Sequence, residues 1–238
     1  MTQRLQLDIL RQPDDVSCGA TCLHAIYRYH NDRVELEDVI RDVEHLEEGG
    51  TLGVFLGCHA LRRGYKVSLY SYNLQVFDPT WRSLPQKELA DRLARQMAYK
   101  HQRKLKIASK AYLEFIEHGG EIRFAELSPK LIRRHLQGSV PMIAGLSSTY
   151  LYQSAREYGP QGEYDDVRGV PGGHFVVLCG YDADSRDVVV ADPYHPNPLG
   201  KGDNYYEVGI NRLICSILLG ILTYDANILV VSRPKKRD

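Results

Sequence analysis

The sequence predicts an α+β protein: a helical N-terminal third, a helix-rich middle and a C-terminal third of antiparallel strands. Three observations carry this. From Cys18 onward Cys22, Leu23, Ile26, Tyr27 and His30 fall on one helical stripe. Beyond Gln137 the apolar runs are short, rich in β-branched residues and bounded by Gly, Pro and Asp. Within them, "HFVVLCGY" and "DVVVADPY" flank the turn "DADSR", which makes a β-hairpin. At 238 residues, 43% hydrophobic and 25% charged, the chain can bury a full core.

The elements follow in order. The opening "MTQRLQLDILRQ" has neither the apolar stretch nor the small-residue cleavage site of a secretory signal, which points to a cytoplasmic address. The first helix starts at Cys18 and stops at Asn31-Asp32. A second is marked by Leu36, Val39, Ile40 and Val43 and ends at "EEGG". Thr51 is placed to cap a third, "LGVFLGCHALRR", which closes at Gly64 before the alternating strand "YKVSLYSY". From Asp78 to Gln137 the residues favour helix and contain few β-branched side chains, so this stretch reads as a helical insertion. Its last helix, "SPKLIRRHL", is entered through Ser128-Pro129, and the strand "VPMIAGL" follows. A looser aromatic stretch ends in the Gly-rich acidic loop "YGPQGEYDDVRGVPGG", a candidate lid. The hairpin, an apolar helix near Gly209 to Leu219 and the strand "NILVVS" complete the core. The division is a single domain over 1–238: a helical part to about residue 72, the insertion over about 78–137, and a sheet part from about 138.

Composition excludes several classes. Thirty basic and thirty acidic residues give formal neutrality, which does not favour nucleic acid or anionic membrane as partner. The longest apolar run, "LICSILLGIL", is half of the roughly 20 residues that a spanning helix needs, so no membrane span is expected. Charge is uneven locally. Arg82 to Lys110 holds nine bases and two acids, and Asp32 to Glu48 holds eight acids and two bases. The basic segment reads first as a solvated helix face; beside that, the two segments could neutralise one another, or the basic one, through Arg95, Arg103 and Lys104, could select an acidic peptide or a partner enzyme. Five cysteines without a secretory signal fit reduced thiols rather than a disulfide framework.

The chemistry gathers at Cys18. A cysteine attacks as its thiolate, and a helix N-terminus and a neighbouring imidazolium both favour that form. The hairpin supplies the imidazole. A turn centred near Ala183 places His174 across from Asp192, both at the rim of the sheet, and a small error in the centre keeps both side chains on one face. The imidazole then protonates a leaving amine while a carboxylate on its other nitrogen fixes the ring. A backbone N–H at the helix start and the side-chain amide of Gln12, six residues upstream of Cys18, are candidate donors to an oxyanion.

With these residues in view, "QPDDVSCGA", "GGHFVVLCGY" and "ADPY" together resemble the peptidase C39-like group of papain-fold cysteine peptidases, relatives of the domains that remove double-glycine leaders from bacteriocin precursors. The resemblance implies a papain-like fold, N-terminal helices packed against an antiparallel sheet. It assigns the nucleophile to Cys18, the base and acid to His174, the orienting carboxylate to Asp192 and the oxyanion-hole amide to Gln12. It implies a peptide or protein substrate with small residues at the cleavage site. No cofactor is expected.

Other readings stand beside this one. The same four residues serve acyl transfer to an amine as well as hydrolysis, and a catalytically silent peptide-binding module is a third. Cys18 and Cys22 with His174 could be imagined as a zinc set, but no second ligand pair completes it, so no metal is expected. Cys22, Cys58, Cys179 and Cys215 read as packing residues. His195, in the Pro-rich loop "YHPNP", is the rival base.

Overall fold

The computed structural model describes residues 2–47 and 49–234, so Glu48, the last acid of the Asp32 to Glu48 run, lies outside the described residues. Strands β1 (Thr2–Arg4), β2 (Lys66–Ser71), β3 (Glu121–Arg123) and β4 (Met142–Ser147) come first in the chain. A short ribbon, β5 (Glu157–Tyr158) with β6 (Glu163–Tyr164), precedes β7 (Gly173–Asp182), β8 (Asp187–Ala191), β9 (Tyr205–Gly209) and β10 (Asn227–Ser232). The main sheet has the order β3-β2-β10-β4-β7-β8-β9, and β1 pairs with β7 just past the end of β4. All its pairs are antiparallel except β2 with β3.

Helices cover both faces. On one lie α1 (Cys18–Tyr29), α2 (Leu36–Asp42), α3 (Gly53–Arg62), α4 (Gln86–Tyr99) and α5 (Arg103–Glu117). On the other lie α6 (Pro129–Gln137), α7 (Ser148–Tyr152) and α8 (Ile210–Leu219). Strand β7 shows why its sequence is an unbroken apolar run. Phe175, Val177 and Cys179 face the first helical layer and Val176 and Leu178 the second, so no side of the strand meets water. Each such aliphatic side chain contributes about 1.5–3 kcal/mol of burial.

Local signals explain most boundaries. The Ser128 hydroxyl accepts the Leu131 N–H and Pro129 opens α6. Gly64, at φ +83°, ends the turn after α3. Thr51, however, does not cap α3: that helix begins at Gly53, and the Thr51 hydroxyl instead donates to the Glu44 carbonyl at 2.7 Å. The presumed insertion is also more integrated than its composition suggests. Leu89 and Leu93 of α4 and Leu105, Tyr112 and Phe115 of α5 join the same core as α1. A Cβ at Gly57 would lie 2.6 Å from the Phe115 ring, so glycine is what lets α3 and α5 close. Its end, β3, is an edge strand of the main sheet. Among the described residues, no helix is long and apolar enough to cross a membrane.

Candidate active site

Cys18 is the first residue of α1 and is half-buried. Ser17 precedes it without lending a side-chain cap, so no side chain covers the N–H groups of the first turn. Gln12 belongs to the N-terminal segment, which is tied down along the sheet. Leu5 N–H donates to the Cys179 carbonyl at 2.7 Å, the Tyr205 hydroxyl donates to the Leu7 carbonyl at 2.8 Å, and Gln12 N–H donates to the Pro193 carbonyl at 2.9 Å. One N–H of the Gln12 amide is spent on the Asp14 carbonyl at 2.7 Å, which leaves its second N–H.

His174 and Asp192 meet through a register different from the expected one. Tyr181 pairs with Val188 and Gly180 with Val189 near the turn, but Leu178 pairs with Val190 and Val177 with Ala191 further on. Cys179 is thus an extra residue, a bulge. Were Cys179 instead paired in turn with Val190, Asp192 would oppose Val177, whose side chain points away from that of His174. With the bulge, the register brings Asp192 opposite Val176, on the face His174 shares. The two are diagonal neighbours rather than directly opposed, and His174 Nε2 lies 2.8 Å from Asp192 Oδ1. Cys18 lies within electrostatic reach of the same ring.

Asp192 is not at the rim. It is 0% exposed, and four donors surround it: His174 Nε2 and the Tyr194 N–H (2.9 Å) on Oδ1, the hydroxyls of Tyr152 and Tyr206 (2.7 Å each) on Oδ2. Burial opposes its charge, but His174 and the two phenols outweigh burial and hold the carboxyl below its ordinary range. Burial likewise opposes the imidazolium, and here Asp192 and Cys18 win, raising His174 to about 10. The imidazole is thereby favoured in its protonated form at neutral pH.

The sequence profile of the Peptidase_C39 like family matches residues 4–211. The chain belongs to that family. Among solved structures, a protein described as a C39-like peptidase from Bacillus anthracis has the same fold, at 12% identity and a TM-score of 0.51, covering 99% of this chain and 100% of that one. A double glycine motif protease from an AMS/PCAT transporter, in complex with a leader peptide, aligns at 14% identity and a TM-score of 0.46 over 97% of this chain and 94% of its own. Xylellain, a cysteine protease from Xylella fastidiosa, aligns at 14% identity and a TM-score of 0.43 over 98% and 86%. No curated protein matches the sequence.

In this C39-like chain the remaining thiols divide. Cys22, Cys58 and Cys179 are buried; Cys22 donates to the Phe175 carbonyl at 3.3 Å, and burial pushes its pKa well up. Cys215 was expected to pack inside α8, yet it is exposed, because the buried stripe of that helix runs through Ile210, Leu213, Ser216 and Ile217 instead. His195 has a buried Nδ1 without a partner among the described residues, and Asp192 holds His174 instead. Tyr152 and Tyr206 escaped the sequence reading. Tyr206 had a usable signal, since "YYEVG" alternates with Tyr206 and Val208 inward; Tyr152, on a five-residue helix, had none.

Proposed function

We propose that this C39-like chain is a cysteine peptidase, a single catalytic unit that hydrolyses a peptide bond through a thioester on Cys18. The grouping of Cys18 at a helix start with His174, whose Nε2 is 2.8 Å from Asp192 Oδ1 and whose ring is within electrostatic reach of Cys18, carries the reading. The thiolate of Cys18 attacks the carbonyl carbon, and the oxyanion is met by the uncapped N–H groups of the first turn of α1 and the remaining amide N–H of Gln12. The C–N bond breaks as the His174 imidazolium passes its proton to the leaving amine. Neutral His174 then takes a proton from water, the hydroxide attacks the thioester, and the acid leaves as Cys18 is regenerated. Asp192 keeps Nε2 engaged throughout and stays ionised. All five cysteines are free, which fits a reducing compartment such as the cytoplasm.

Alkylation with iodoacetamide tests the site without a known substrate. Cys18 should react ahead of the exposed Cys215, and His174→Ala should slow labelling at Cys18 alone. Equal labelling of both thiols, unchanged in His174→Ala, sinks the proposal. Cleavage of quenched peptides should vanish in Cys18→Ala.

A further inference from the structure

Two carboxylates close to His174 have no part in this chemistry. Glu157 and Asp225 lie against the glycine pair that leads into β7. A Cβ on Gly172 would be 3.1 Å from Glu157 Oε1, and one on Gly173 would be 2.5 Å from Asp225 Oδ2. Any side chain there would hold the acids off. Gly173 is itself exposed, so the Asp225 carboxylate borders the open head of the strand one residue before His174.

Neither acid is paired with a cation among the described residues. Asp225 is 6% exposed, its Oδ1 has no hydrogen-bond partner, and the nearby Thr223 hydroxyl donates to the Gly220 carbonyl at 3.1 Å. The cation in range, Lys104 of α5, stops short: its Nζ donates to the Thr223 carbonyl at 3.2 Å and rests over the Tyr224 ring at 5.0 Å. Glu157 is half-buried and shares its surroundings with Asp15 and His174. Burial holds both carboxyls above their ordinary range, Asp225 at about 7. Burying a carboxylate without a counter-ion costs several kcal/mol, and a cleft that keeps two such groups beside its reactive centre is built to receive the missing charge.

Resting on the peptidase reading, we infer that the substrate carries a cationic group, an ammonium or guanidinium, close to the scissile bond, and that Asp225, with Glu157 on the other side of the glycine pair, is its receptor. This reverses the acidic substrate suggested by the basic segment. Arg103 is ion-paired with Glu47 and Lys104 is turned onto a backbone carbonyl, while an acidic residue near the scissile bond would meet Asp15, Glu157 and Asp225.

The test uses quenched peptides with a Gly-Gly core in which lysine, norleucine or glutamate is moved position by position along either side. At one position lysine should exceed norleucine in kcat/KM by about 10- to 100-fold, the range of a hydrogen bond to a charged group. Asp225→Asn should collapse that ratio, Glu157→Gln should lower it, and Lys104→Met, which removes the competing cation, should raise it. Calorimetry with Cys18→Ala and the lysine and norleucine peptides reads the same preference as affinity, so a failure of catalysis is told apart from a failure of recognition. Equal lysine and norleucine values at every position, a preference for glutamate, or a ratio unmoved by both Asp225→Asn and Glu157→Gln overturns the inference.

Discussion

Asp192 and Asp225 are both buried aspartates within electrostatic reach of His174, yet their surroundings drive them in opposite directions. Asp192 has four donors on two oxygens and is held ionised below its ordinary range. Asp225 has an unpartnered oxygen and a lysine that stops at the neighbouring carbonyl, and burial lifts it to about 7. Burial is common to both, so the count of donors decides which carboxyl keeps its charge. One is set up to hold an imidazolium for good, the other to wait for a cation.

Removing the better-served member should have the largest effect. Asp192→Ala leaves His174 and two phenols buried without an acceptor, and urea unfolding should show a loss of about 3–5 kcal/mol. Asp192→Asn preserves volume but not charge, and kcat/KM should fall by about 10²–10⁴-fold. The pH dependence has a definite sign. Asp192 is lowered, so its contribution to stability is complete above the ordinary carboxylate pKa and lost as pH falls. His174 is raised, so its contribution is complete below about 6.5, the reference histidine value, and is lost as pH climbs through about 10. The gap in melting temperature between the protein and Asp192→Asn should therefore be widest near neutral pH and narrow at both extremes.

Next come the phenols. Tyr206→Phe and Tyr152→Phe each delete a hydrogen bond to a charged oxygen, for about 1.5–3 kcal/mol apiece. Both use Oδ2, so a double-mutant cycle should give a coupling energy well away from zero. Strict additivity would mean that the two phenols hold Asp192 independently of one another.

The smallest effect sharpens the comparison by changing its sign. A carboxyl raised from its ordinary value costs stability once ionised, so the protein should lose stability between about pH 4 and 7 on account of Asp225. Lys104 from α5 and His174 from β7 are the charges that oppose this. Asp225→Asn should accordingly stabilise at pH 8 by about 1–3 kcal/mol and do little at pH 4. Equal effects at both pH values would show that Asp225 is not the group being titrated.

The layers of the fold were legible wherever periodicity was long: α1, α3, α8 and the β7–β8 hairpin lie where their patterns put them. Short pieces were not. Strand β1, the edge strand β3 and the ribbon β5–β6 span two or three residues each, too few for a period to register. The site shows the same division. Cys18, His174 and Asp192 were readable because a helix start and a hairpin bring distant residues together by rule. Tyr152 and Tyr206 reach Asp192 from α7 and β9, across tertiary contacts that no local pattern encodes. Asp225 could not be told from a surface loop acid, since its burial depends on Gly145, Gly173 and Gly220 from three other segments closing over it.

The extra residue at Cys179 makes the hairpin sensitive to single-residue length changes in an unequal way. Deleting Cys179 itself would merely straighten the ladder, because Leu178 with Val190 and Gly180 with Val189 would become consecutive pairs and the imidazole would still look toward its acid. Deleting Val176, only three places earlier, would leave the bulge intact and rotate His174 to the opposite surface of the sheet. Two shortened proteins of identical length should thus differ in kind, the first retaining His174-dependent alkylation of Cys18 and the second folding without it.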